Sequence, residues 1–315
     1  MEQIPPRDAR AEAESQARAL RGPSARVQIL EPAPPAITEP PWFADAEPTG
    51  AHILSPYGPS EWRWSTLADE EASLRAWCEE RWLGPYRRLD PLPAYFETTR
   101  EALHLLAEDV IAPARRRANT KIGLRWTLGG FGTPFFGADA QVRVEHGQLV
   151  VQEGARARRA EITTLRDARE LLGELASPAE PETAESPLTI DVAAADALGE
   201  LYGFATSVLE ELRYDADSKL EPSRVQLWPE HFDVSVELGS ESAGERAGYG
   251  VSPGDAEHPQ PYLYVVPWGE VPPGERWRAT AFNGAELGYE KLIAASGQRA
   301  TALEFFRGCL QDLLV

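Results

Sequence analysis

The sequence predicts an α+β protein: mostly antiparallel sheet with flanking helices, ordered as two related halves, preceded by a Trp-rich helical segment and a Pro-rich arm. Three observations carry this expectation. Strand-like alternation recurs between Gly and Pro turns, as in Ile122, Leu124, Trp126 and Leu128, and again in Phe232, Val234, Val236 and Leu238. Amphipathic helical patterns flank those strands. The order helix, three strands, helix is followed, after an acidic linker, by helix, strands and helix again. No residue identity between the halves supports duplication beyond that order.

Residues 1–41 form the arm. Nine of the 27 prolines fall in the first 50 residues, with little periodic apolar content. Residues 42–90 carry Trp42, Trp62, Trp64, Trp77 and Trp82, five of the nine tryptophans. Within them STLADEEASLRAWCEERWLGP reads as a capped helix stopped by Gly84-Pro85 and packed on the body. Residues 91–176 form the first half. A helix from about Pro93 to Arg117 leads it, with Arg115, Arg116 and Arg117 suiting the negative end of its dipole and Pro113 kinking its end. The strand KIGLRWTL, a hairpin turning at His146-Gly147 and the helix TTLRDARELLGELA follow. Residues 177–188 are the linker, and 189–315 the second half, opened by DVAAADALGELYGFATSVLEELRYD.

Hydrophobic content of 43% and charged content of 26% are those of a globular protein, and 315 residues leave room for a large core. The net charge of −19 argues against nucleic acid and anionic membranes, which require a basic footprint. Cys78 and Cys309 are too few and too separated for a disulfide framework or a thiolate metal site. The start, MEQIPPRDAR, has no signal-peptide core, and no apolar run reaches membrane-spanning length, so the expected location is the cytoplasm.

The candidate site lies between Arg224 and Trp268. In an unbroken strand, alternation puts His231, Asp233, Ser235 and Glu237 on one face, with Glu230 just ahead of them. The loop YGVSPGDAEHPQP adds Ser252, Asp255 and His258. Imidazole beside carboxylate is the pairing of general acid–base chemistry, so His231, Glu230 and Asp233 are the catalytic candidates. The ligand-binding candidates are Ser252, Asp255, His258, Trp228, Tyr262, and Lys121 with Arg125 as an anion anchor facing the acidic cluster. No motif indicates a cofactor; a divalent metal, if bound, would fall to His231, Asp233, Asp255 and His258. Each of these residues is also an ordinary surface, turn or core residue at its position, and Ser252 lacks a nucleophile-elbow context.

The strings TKIGLRWTLGGFGTPFFG, QLWPEHFDVSVELG, YGVSPGD with PYLYVVPW, and ERWLGPYRRL together resemble a family of proteins of unassigned function from high-GC bacteria. More distantly, they resemble a domain of unknown function in which a W-x-x-FD strand precedes a Ser/Gly-rich loop and a YxYxxP strand. The resemblance covers roughly residues 40–314. It implies that Glu230, His231, Asp233, Ser252 and Asp255 belong to signature strings, and it implies no activity. Three functions follow as expectations: a small-molecule pocket around the WPEHFD and SPGDAEH stretches; a hydrolase, metal-assisted or not, on His231, Asp233 and His258; and a scaffold that binds partners or itself through residues 1–50.

Overall fold

The computed structural model describes residues 88–314 apart from 128, 135, 138–139, 154–155, 178–184 and 186, with the backbone of three short stretches before them. The rest of the arm, the Trp-rich helix with Cys78, and most of the acidic linker lie outside the described residues. The three stretches are β1 (Glu2–Ile4), β2 (His52–Ser55) and β3 (Gly58–Ser60), the last two paired with each other.

The first half opens with α1 (Phe96–Leu106), a π turn over Ala107–Ile111 and α2 (Ala112–Asn119), run end to end. Pro113 has no N–H to give the carbonyl one turn back. The π turn takes up the irregularity just before it, and the Asp109 carbonyl accepts from the Arg169 guanidinium instead (3.1 Å). Strands β4 (Arg125–Thr127), β5 (Gly130–Gly132), β6 (Ala140–Glu145), β7 (Gln148–Glu153) and β8 (Arg156–Glu161) then form an antiparallel meander, with β1 added beside β8. His146 and Gly147, both at positive φ, make the two-residue turn between β6 and β7. Helix α3 (Leu165–Leu172) follows, capped by Thr164, which accepts from the Asp167 amide while its hydroxyl donates to the Asp167 carboxylate.

The second half repeats the order. Helix α4 (Val192–Asp215) precedes β9 (Gln226–Trp228), β10 (Asp233–Leu238), β11 (Ala247–Ser252), β12 (Tyr262–Pro267) and β13 (Ala285–Gly288). Helices α5 (Tyr289–Ala294) and α6 (Gln298–Leu313) close it. The architecture is α+β with two antiparallel sheets, each half a five-strand meander where the sequence suggested three strands in the first.

The meanders meet edge to edge through their first strands. Leu124 and Leu227 exchange both backbone hydrogen bonds (2.7 and 2.9 Å), so β4 runs antiparallel to β9 across a seam. Helix α4 lies against β4 and β5 on one side of this seam and β10 and β11 on the other. It carries Leu198, Leu201, Tyr202, Phe204, Ala205, Val208, Leu209 and Leu212, all buried. At Gly199 it approaches β5 so closely that a Cβ would sit 2.9 Å from the Gly130 nitrogen. In the second sheet Val234, Val236, Tyr249, Val251, Leu263 and Val265 fill the core beneath the helices. Asp233, Ser235, Ser252, Tyr262, Tyr264 and Glu286 alternate with them and share the opposite face. Among the described residues no helix is long and apolar enough to cross a membrane.

Candidate functional site

The WPEHFD string is not one strand. Trp228 pairs with Asp233, and Pro229, Glu230, His231 and Phe232 form the turn between β9 and β10, closed by the Phe232 amide donating to the Trp228 carbonyl (2.7 Å). The alternation expected from His231 to Glu237 therefore begins only at Asp233. Glu230 and His231 are exposed at the tip, not in line with Asp233 on a strand face. The fourth turn position needs the left-handed region, and Phe232 occupies it at φ 55°. For a bulky side chain that costs about 1–2 kcal/mol. Burial compensates: the Phe232 ring is stacked on His104 (5.0 Å between centroids) and meets Phe131 and Tyr202 edge-on. Removing a ring of this size from water is worth about 1.5–3 kcal/mol.

Helix α1 holds the two candidate loops together. Arg100 and His104 lie one turn apart on one helix face. His104 Nε2–H donates to the Pro229 carbonyl (2.9 Å), and Arg100 Nη1 donates to the Pro259 carbonyl (2.8 Å). From α4 the Tyr202 hydroxyl donates to the Phe232 carbonyl (2.6 Å). One helix face thus clamps the turn bearing Glu230 and His231 beside the loop bearing Asp255 and His258.

The centre of the arrangement is Asp233, 4% exposed. Its Oδ2 accepts from the Tyr264 hydroxyl, and its Oδ1 has no hydrogen-bond partner. Tyr264 reaches it from β12 by lying across Gly250 of β11, where any Cβ would collide with the phenol ring. Burial pushes the Asp233 carboxyl up to about 6, with the Tyr264 hydrogen bond, the His231 charge and a hydrogen bond from its own backbone amide opposing and Glu230 adding. Burial and the neighbouring Asp233 charge raise Tyr264 well above the usual phenol range, so it stays a donor.

Around this pair stand aromatic rings and further carboxylates. Tyr262, Tyr264 and Phe282 lie with centroids 6.0–6.2 Å apart, and His258 stacks on Tyr262 at 4.2 Å. His258 Nε2 is 3.4 Å from Glu286 Oε1. Burial raises the Tyr262 hydroxyl; a hydrogen bond with Ser252 opposes this, and Asp255, Asp233 and Glu286 add to it. Ser252 is buried, its Oγ accepting from the Gly254 amide (3.1 Å). Asp255 is exposed, and its Oδ1 accepts from the Glu257 and His258 amides, which shapes the loop. Trp228 is half-buried beside Asp233 across the β9–β10 pair.

Two expectations need correction. Among the described residues no three His, Cys, Asp or Glu side chains are gathered where they could hold a metal ion, so the structure does not bring His231, Asp233, Asp255 and His258 together as one ligand set. The strand break at Pro229 and the engagement of Asp255 by its own loop are the reasons. Nor does Arg125 face the acidic cluster: the halves join at an edge instead of face to face, and Lys121 is exposed. Arg125 lies in a charged group with Glu210, Arg224 and Arg115. Burial lowers it to about 9, with Glu210 opposing and the two arginines adding; a guanidinium still keeps its charge at neutral pH.

Arg100, His104, Phe282 and Glu286 were not among the sequence candidates. The sequence offers Tyr264, with Trp228 and Tyr262, as a pocket wall or a core aromatic, and strand alternation puts it on the face of Tyr262. The clamp from α1 carried no signal, because it depends on contacts 125 and 159 residues away. No protein-family model, no curated protein and no solved structure matches this chain.

Proposed function

We propose that this protein binds a small molecule on the polar face of the second sheet, with Asp233 as the anchoring group. Trp228, Ser252, His258, Tyr262 and Tyr264 surround it. One observation carries the reading: a carboxylate almost wholly removed from water keeps one oxygen without a hydrogen bond. An unsatisfied buried acceptor costs about 1–3 kcal/mol, more for a charged group. A fold keeps such an atom at a site where something else supplies the donor. The two loops beside it are fastened by side chains from α1 and α4, a rigid support of the kind a binding site needs. The cytoplasm, with its small metabolites, is the location this reading assumes.

A thermal-shift screen of a chemically broad compound collection tests it, run on the wild-type protein and on Asp233→Asn. Compounds that raise the wild-type melting temperature and lose their effect in the variant support the proposal. A screen in which every stabilising compound acts equally on both proteins overturns it.

A second reading is favoured by the Asp233 carboxyl lying near 6, which suits a general acid or base at neutral pH. Here the face would be an active site for hydrolysis, with His231 and Glu230 at its rim. Ester or amide turnover by the wild-type protein, abolished in Asp233→Asn with the fold intact, would select this reading over binding alone.

A further inference from the structure

We infer that the ligand carries an ammonium group, an N–H-bearing organic cation seated between Asp233 and the rings of Tyr262 and Phe282. This rests on the proposal that the face binds a small molecule, and it adds the ligand's chemical class.

The open Asp233 Oδ1 is an acceptor, so its partner must be a donor. The surrounding charges decide which donor. Glu230 acts on Asp233, while Asp255, Asp233 and Glu286 all act on Tyr262. Of the groups that can carry positive charge, His231 acts on Asp233 from the exposed turn, and His258 is already set against Glu286. Arg100, beneath the face near Tyr202, spends its guanidinium on the Pro259 carbonyl and on Glu101. An anionic ligand would meet the carboxylates of Asp233, Glu230, Asp255 and Glu286. A neutral donor would satisfy Oδ1 but gain nothing from the field. A cation satisfies the oxygen and is drawn to the carboxylates. The phenol and phenyl faces of Tyr262, Tyr264 and Phe282 add cation–π attraction, which grows as water is excluded.

Binding such a cation also favours the ionised form of Asp233. Affinity therefore rises with pH as the carboxyl gives up its proton. Glu230, Glu286, Asp255, His231 and His258 share the same field.

The test uses three probes of one shape: benzylamine, benzyl alcohol and benzoate. Each is titrated into the isotope-labelled full chain and followed at the backbone amides of Asp233, Gly250 and Tyr264. Benzylamine should shift these amides saturably at pH 7.5, at least tenfold more tightly than benzyl alcohol, with benzoate silent. Its affinity should fall at least fivefold at pH 5. Asp233→Asn should erase the preference for the amine. Glu286→Gln, which leaves the Asp233–Tyr264 bond intact, should weaken benzylamine several-fold without affecting benzyl alcohol. Equal or tighter binding of benzyl alcohol or benzoate overturns the inference and leaves the small-molecule reading standing. No saturable shift from benzylamine also overturns it. The broader reading falls only if the compound screen yields nothing that depends on Asp233.

Discussion

The Tyr264 hydroxyl bonds the Asp233 carboxylate across an intervening strand, and the missing side chain of Gly250 makes the reach possible. Two consequences can be measured. In Tyr264→Phe the Asp233 Oδ2 loses its phenol donor, so the Asp233 carboxyl should titrate above its present value of about 6 in a carbon-detected NMR titration. Gly250→Ala should destabilise by about 1–3 kcal/mol in urea unfolding and raise the same titration, because the ring is pushed off its partner. An unchanged carboxyl titration in Gly250→Ala would refute the bridging role of the glycine.

Asp233 should also leave a mark on stability as a function of pH. Its carboxyl lies at about 6 in the fold against 3.8 in the unfolded chain, so the folded state holds the proton more tightly. Its contribution is most favourable below about pH 4 and is lost as pH rises through 6, by an amount on the order of 2–3 kcal/mol. The stability of Asp233→Asn relative to the wild type should therefore increase between pH 4 and pH 6 and stay level above that. Urea midpoints across this range give the difference directly; a flat difference would mean the carboxyl is not perturbed.

Phe232 sets two opposed effects on one residue. Its backbone is in the left-handed region, which favours glycine, while its ring fills a space bounded by His104, Phe131 and Tyr202. Phe232→Ala should cost about 3–5 kcal/mol through the cavity. Phe232→Gly should be the less damaging of the two, by about 1 kcal/mol, reversing the usual order of alanine and glycine. Chemical denaturation of the pair decides it.

Pro113 and Arg169 should be coupled. The guanidinium fills a carbonyl that the missing proline N–H leaves vacant. Arg169→Ala should be more harmful with Pro113 in place than in Pro113→Ala, where an amide can serve Asp109. A double-mutant cycle should return a coupling of about 0.5–1.5 kcal/mol; additive effects would dissolve the link.

The same particulars explain what the sequence could and could not reveal. The turn at His146-Gly147 was legible because its residues tolerate the backbone they adopt. The turn at Pro229–Phe232 was not, because its left-handed position holds a phenylalanine and polar alternation runs straight through it. Both sheets and the α4 stripe follow from local periodicity. The Asp233–Tyr264 bond spans 31 residues, and the α1 clamp spans more than a hundred, beyond the range of any periodic signal. Asp233, Ser252, His258 and Tyr262, named by residue type, lie near one another in the structure; Arg125 it places elsewhere.

The seam between Leu124 and Leu227 bears on how the chain folds. Within each meander every strand pairs with a neighbour in sequence, so those contacts form over short loops. The seam joins positions about a hundred residues apart through one pair of hydrogen bonds. Contacts of that separation bear the greatest closure entropy and contribute least to early folding. Each half should gather its own sheet first, and the two should zip together last, on α4. In the native protein the order reverses: the Leu124 and Leu227 amides should exchange with deuterium sooner than those of Val144 and Val236, as the halves part before either one melts.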